Sequence, residues 1–523
     1  MGARGWTTLG HLGSAARAAI DPAGLIVPRP DGWSLDWWIG AEDRWHLPSR
    51  EPSVRQRLID LTPVVETAMR IPGGDAVHRA FAVPDRDWGD LVVVEIENCS
   101  AVPFAVALGL GPFNPEAPVL IGRIELRDER LILVDGRPAL LLPRPPSGLA
   151  LTDLRGGGVV AAVMNDPQRR DDAVVRCRAG RAEAAVVYPL AHRALLRVAV
   201  LLNCGRVSRR ARIAPFPDRL PSAAAAARGW DAQARRGLRL NLPEGRLADA
   251  VEANRRALLL SPAADACRET AATVAALDRY GFHPEAAGLL RSFPARQRRD
   301  GRYVGPDGAA DGHARVMTAM ADHWRLTGDR ELLEELRPGL AAAAKWTQRL
   351  DGWTVSGLLG VADLLEAVGD TDGAARARTM ASSQAREDLA SEAGRALEVV
   401  RSMVGAASGT FTWPDSRDHA SATFLIHVRD LLVRDVVGRG VALCSGLPEE
   451  WEGRDLEVHD APTAAGTLSF ALRWHGPRPS VLWELVQRGV EPVRLTAPGL
   501  DPQWSSTEVR GDALLAARAG VRS

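Results

Sequence analysis

Between residues 221 and 435 the chain leaves one hydrophobic period and takes up another, and this change limits its fold more than any single motif does. The stretch is rich in Ala, Leu and Arg and repeats its apolar residues at helical spacing, whereas the flanking sequence alternates as strands do. A chain that runs β, then α, then β separates into layered domains. We expect an N-terminal antiparallel β-sandwich (residues 1–220), a central domain of paired helices (221–437) and a small C-terminal antiparallel β-domain (438–523).

In the first region, β-rich runs at 64–71 and 76–83 are joined by Pro72-Gly73-Gly74-Asp75, which is hairpin chemistry because glycine adopts positive φ at little cost. Runs at 91–97 and 102–110 flank Asn98-Cys99-Ser100, and Val102, Phe104, Val106, Leu108 and Leu110 alternate so as to bury one face. A further hairpin centres on Asp135-Gly136. Many short strands with Gly/Pro turns and no intervening helix predict a large sandwich.

The helical period begins after Pro221, with Ser222 placed to cap the first helix. Helices are expected over 223–236, 246–258, 264–280, 284–293, 312–326, 331–350, 355–368, 376–403 and 420–434, about nine in all, with Gly281 stopping the third. Short links predict antiparallel helical hairpins. Beyond Gly438, Leu468, Phe470, Leu472 and Trp474 alternate, His475-Gly476-Pro477 turns the chain, and 481–486 returns as the partner strand. The tail after Ser505 shows no such pattern.

Composition excludes several functions. Lys plus Arg and Asp plus Glu both number 65, so nothing favours a nucleic-acid or anionic membrane partner. Five widely spaced cysteines without a CxxC pair suit reduced thiols in a cytoplasmic protein and support no metal site. No apolar run reaches the length of about 18 residues that a membrane span needs. Gly156-Gly157-Gly158 lacks the spacing and following helix of a dinucleotide site, and neither an HExxH nor a GxSxG motif is present. The histidines are scattered.

Trp33-Ser34-Leu35-Asp36-Trp37-Trp38 and Glu42-Asp43-Arg44-Trp45-His46 set tryptophans beside carboxylates and an arginine. Such a set can grip a sugar, whose C–H face stacks on indole while its hydroxyls take polar bonds, or it can pack the rim of the sandwich.

Several segments carry a resemblance. Residues 240–260, Leu277-Asp278-Arg279-Tyr280-Gly281-Phe282, His323-Trp324-Arg325-Leu326-Thr327-Gly328-Asp329, residues 409–414, and Gly446-Leu447-Pro448-Glu449-Glu450-Trp451 resemble the six-hairpin glycosidase superfamily, with its bacterial glucoamylase-, rhamnosidase- and glycogen-debranching-like members. The resemblance implies a β-sandwich before an (α/α) toroid of helical hairpins, with an oligosaccharide or polysaccharide as ligand. It also implies inverting hydrolysis by two carboxyl groups, one protonating the leaving oxygen and one activating water. Asp311, in the loop before the helix bearing Trp324, falls at the family's acidic position, and Asp415 follows Trp413-Pro414 where the family tends to have Glu. Asp311 is the expected acid and Asp415 the expected base, with Trp37, Trp38, Trp45 and Trp413 as sugar contacts and no metal or organic cofactor.

Three departures from the family pattern stand out. Asp415 is one methylene shorter than Glu, an alanine precedes Asp311 where an aromatic residue is usual, and the link from Trp346 to Trp353 is too short for the aromatic, acidic loop that walls the family's sugar site. About nine helices also fall short of the twelve in six hairpins. A non-catalytic protein that keeps the fold as a carbohydrate-binding or assembly module is the competing expectation. Oligomeric state is not legible in the residues.

Overall fold

The computed structural model describes residues 5–28, 32–114, 119–153, 155, 157–203, 205, 214–261, 266–305, 312–346, 353–384, 389–413, 420–436 and 440–517. The chain forms two compact units, residues 1–231 with 408–415 and residues 232–407 with 416–523. Along the chain the order is antiparallel β-sheets, then helices, then β-sheets again.

In the first unit, sheets of eight and nine strands share one core. Ile39, Val106 and Val186 reach it from the first sheet, and Val92, Val94 and Val198 from the second, all without solvent exposure. The expected hairpins form. Ile71 pairs with Gly74 across Pro72-Gly73, where Gly73 has a φ of 80°. Val134 pairs with Arg137 across Asp135 and Gly136, both at positive φ as a two-residue turn requires. By contrast, Gly89–Asn98 and Phe104–Gly111 lie in different sheets. Fully buried Asn98 makes the crossing, donating to the Val102 and Leu190 carbonyls while its own oxygen accepts from Ser100.

Helices, numbered along the chain, are α1 (Val159–Asn165), α2 (Ala223–Ala234), α3 (Arg246–Leu258), α4 (Cys267–Arg279), α5 (His283–Leu290), α6 (Gly312–Thr327), α7 (Arg330–Ala344), α8 (Val355–Ala367), α9 (Thr371–Ser383), α10 (Leu389–Ala406) and α11 (Ala420–Leu432). The first corrects the expectation of a helix-free sandwich and of no helix after the glycine triplet. It packs Val159, Ala162 and Val163 onto the outer face of the eight-stranded sheet, and its first amide donates to the Glu183 carboxylate at 2.7 Å. A protein carboxylate therefore holds the helix end where a dinucleotide phosphate would sit.

In the central stretch the helix expected over 376–403 is two, α9 and α10, because the Ala/Arg period runs through both. Helices α6 and α8 approach closely through small residues: a Cβ on Gly357 would lie 2.8 Å from the Thr318 hydroxyl. Tyr280, at the end of α4, donates to the Leu425 carbonyl of α11 at 3.0 Å. Among the described residues no helix is long and apolar enough to cross a membrane.

Two sheets complete the second unit, the five-stranded one taking its first strand, Arg239–Asn241, from between α2 and α3. Gly466–His475 and Arg478–Gln487 form the expected hairpin about Gly476-Pro477. The tail is not patternless: Arg510–Leu514 pairs with Arg478–Gln487 as an edge strand whose partly buried face holds only Gly511 and Ala513, too small to give a hydrophobic alternation. The four-stranded sheet is mixed, with Val441 beside Leu495 in a parallel pair.

Asp36 is an unusual tenant of the sandwich. Burial pushes its carboxyl up to about 6, partly offset by hydrogen bonds from the Trp38 indole and the Trp37 amide. The native state therefore holds this proton longer than the unfolded chain, so the Asp36 contribution to stability falls as pH rises from about 4 through about 6. We predict that Asp36→Asn is neutral or slightly destabilising at pH 4 and stabilises at pH 7 by roughly 1–2 kcal/mol, the penalty of roughly 3 less one lost hydrogen bond. Urea denaturation of both proteins at the two pH values checks this, and an identical pH dependence for the two would contradict it.

Candidate functional site

The tryptophan cluster is a packing device. Trp37 is 1% exposed, donates to the Ala23 carbonyl at 3.0 Å and stacks on His78 at 5.2 Å. Trp38 points to the opposite face of the same strand and is 4% exposed, with its ring filling the space a Cβ on Gly109 would occupy. Neither indole presents a face on which a sugar could stack. Trp45 is half-buried against Gly40. The nearby charges are paired with each other: Glu51 binds Arg44 at 2.5 Å and His46 at 3.2 Å, and Asp43 binds His46 at 2.9 Å.

Asp311 and Asp415 lie outside the described residues, and so does the 414–419 segment. The approach to Asp415 is described. Ser408 contacts the Thr410 and Thr412 hydroxyls at 3.1 and 2.9 Å and accepts from both of their amides, while Thr7 donates to Thr410 at 2.8 Å. Phe411 sits at a φ of 57°, a left-handed conformation that a side chain pays about 1–2 kcal/mol to adopt. Trp413 is 9% exposed.

In the second unit, a cavity of about 300 Å³ lies where the C-terminal ends of α4, α6 and α11 meet the first turns of α8 and α10. Its wall alternates guanidinium and carboxylate groups. Arg279 binds Asp322 at 2.9 Å and lies 3.9 Å from Asp430. Burial works against the Arg279 charge, but Asp322, Asp430 and Asp435 outweigh it and raise its pKa above the usual arginine value. Arg429, 2% exposed, donates to the Val433 and Pro462 carbonyls and to Asp435 at 3.1 Å, and Asp435 in turn accepts the Ala464 amide. Arg434 pairs with Glu392. Thr318, Thr354 and Ser356 complete the polar lining. Such a wall can bond to hydroxyl groups of a small polar ligand. Among the described residues its acids face arginines, so the wall offers both donors and acceptors to such a ligand.

A second cavity, of about 730 Å³, contains residues that the sequence reading passed over. Asp278, in the last turn of α4, is fully buried and accepts from Nδ1 of both His283 and His323 at 2.9 Å. The two histidines stand 40 residues apart, yet both belong to or adjoin the segments that carry the glycosidase resemblance. Gly281, at a φ of 79°, brings the chain sharply back after α4, with the Phe282 amide returning to the Leu277 carbonyl, and so sets His283 over Asp278. Burial pulls the His323 pKa down, but Asp278 and Asp329 together raise it above its ordinary value.

No protein-family model matches the chain, and no curated protein matches it. Among solved structures it is similar to a putative kojibiose phosphorylase from human microbiome, at 7% identity and a TM-score of 0.45, covering 96% of this chain and 88% of that one. It is also similar to a GH78 family rhamnosidase of Bacillus sp. GL1, at 10% identity and a TM-score of 0.35, covering 76% of this chain and 52% of that one. A third is the GH92 family glycosyl hydrolase ccman5, at 12% identity and a TM-score of 0.35, covering 70% and 56%. This chain thus spans little more than half of the latter two. Similarity this low assigns no role to any residue.

The buried arginine gives a direct test of the smaller cavity's construction. Arg429→Met leaves two carbonyls and Asp435 without their donor and should cost about 3–5 kcal/mol. Arg401→Met, which removes a pair with 85%-exposed Glu449, should cost well under about 1 kcal/mol. Equal urea midpoints for the two variants would contradict this ranking.

Proposed function

We propose that this chain is a carbohydrate-active protein of the six-hairpin glycosidase type that hydrolyses an oligosaccharide with inversion. Asp311 is the general acid and Asp415 the general base. The reading rests on the glycosidase-like segments and on the β–α–β order of the chain, and one structural observation carries it furthest. The loop that ends in Trp413-Pro414-Asp415 is held over 408–412 by linked hydroxyls and keeps Phe411 in a strained backbone conformation. Strain of this kind persists where the surrounding structure over-determines it, and it gathers at functional sites. A base must be positioned closely, since activation of water depends on near-attack geometry. The hydroxyl bracing of 408–412, shortly before Asp415 in the chain, supports this reading.

A second reading, binding without cleavage, has its own observation. The carboxylates of the described small cavity are paired with arginines, and Trp37, Trp38 and Trp413 are buried. On that reading sugar hydroxyls bond to the ion-paired wall and nothing is hydrolysed.

A panel of oligosaccharides and polysaccharides separates the two. The hydrolase reading predicts release of reducing ends, with Asp415→Asn and Asp311→Asn each lowering the rate by about 10²–10⁴-fold. Saturable binding by calorimetry without any release of reducing ends would favour the binding module, and neither binding nor release across the panel would defeat both.

A further inference from the structure

Asp278, His283 and His323 bring one carboxylate oxygen and two imidazole nitrogens within 4.8 Å of one another. We propose that these three side chains form a binding site for a zinc-class divalent ion, open to the larger cavity. Two imidazoles and a carboxylate are a donor set suited to zinc and its first-row neighbours. Three protein ligands with a free position toward a cavity is the arrangement of a zinc site that keeps a water or small anion as its fourth ligand.

The argument rests on where the protons must go. If both rings are neutral, each must carry its proton on Nδ1 to satisfy Asp278, which lies 2.9 Å from both nitrogens. That leaves Nε2 of His323 as a lone pair. This atom is buried, has no hydrogen-bond partner, and lies 3.8 Å from the Asp329 carboxylate, so acceptor faces acceptor. A metal ion on the Nδ1 side reverses the pattern. Both Nδ1 lone pairs then point at the ion, the ring protons move to Nε2, and His323 directs its N–H toward Asp329. A carboxylate in that outer position is the usual partner of a metal-bound histidine.

Two further features favour a cation here. Asp278 lies in the last turn of α4, at the negative end of that helix dipole. Asp329 is itself fixed, because its other oxygen accepts the Leu332 amide at the start of α7. Zinc ligands about 2.0–2.1 Å from the ion in tetrahedral array stand about 3.3 Å apart. The 2.9 Å contacts therefore need to open by only a few tenths of an ångström. His283, with 31% of its side chain exposed at the cavity, is free to make that adjustment.

The rival cation is a second proton on His323, which would also satisfy Asp329, and the experiment must separate the two. The full chain, stripped with chelator, is titrated with Zn²⁺ by calorimetry and with Co²⁺ by visible absorption. The proposal predicts one ion per chain, a higher melting temperature on loading, and the intense visible bands of four-coordinate Co²⁺. His283→Ala, a change at a partly exposed position that leaves the Asp278–His323 pair in place, should weaken binding at least tenfold. His192→Ala, in the first unit, should leave it unchanged. Absence of stoichiometric uptake, or uptake indifferent to His283→Ala, overturns the metal site.

Discussion

Charge buried at the ends of the helices is what the second unit is built to neutralise. Arg429 is nearly inaccessible, and its guanidinium ties the end of α11 to the following strand through Val433 and Asp435 and to the strand Leu456–Thr463 through Pro462. Around it, Arg279 with Asp322 and Arg434 with Glu392 close the remaining gaps between α4, α6, α10 and the sheet. Pairs of this kind contribute little net stability compared with an apolar core of the same shape, but removing one partner strands the other in low dielectric. The helix ends are thereby committed to one arrangement. Both cavities lie where these ends meet the C-terminal sheets.

This commitment bears on function. A catalytic acid has to keep its proton near neutral pH, which needs an environment hostile to its charge. In the smaller cavity Asp322, Asp435 and Glu392 each face a guanidinium, an arrangement that can hold a polar ligand. For the proposed hydrolysis, Asp311 and Asp415 are the pair the glycosidase resemblance supplies. The described residues that precede Asp415 in the chain are braced over 408–412 by linked hydroxyls.

Much of the fold was legible because its signals were local. Pro72-Gly73, Asp135-Gly136 and Gly476-Pro477 each dictate a turn from their own chemistry, and the 3.6-residue period located the helices of the central stretch. The misses have physical causes. Asn98 crosses from one sheet to the other, and a sequence cannot distinguish that corner from a hairpin turn. The edge strand Arg510–Leu514 turns only Gly511 and Ala513 to its partly buried face, and residues this small leave no hydrophobic alternation. Trp37 and Trp38 resembled a sugar platform because adjacent strand residues face opposite sides, and only the structure reveals that both sides are covered, one by His78 and one by Gly109 and α1. The Asp278 cluster needed tertiary contact between α4 and α6 before its histidines met.

The central claim, that Asp311 and Asp415 act as one inverting pair, is tested most directly by a crystal structure of the full chain with an oligosaccharide bound. The account predicts both carboxyl groups facing the sugar across one cleft, about 6.5–9.5 Å apart with room for a water between them. Finding the two on separate surfaces, or finding either engaged only as a helix cap away from the sugar, would contradict it.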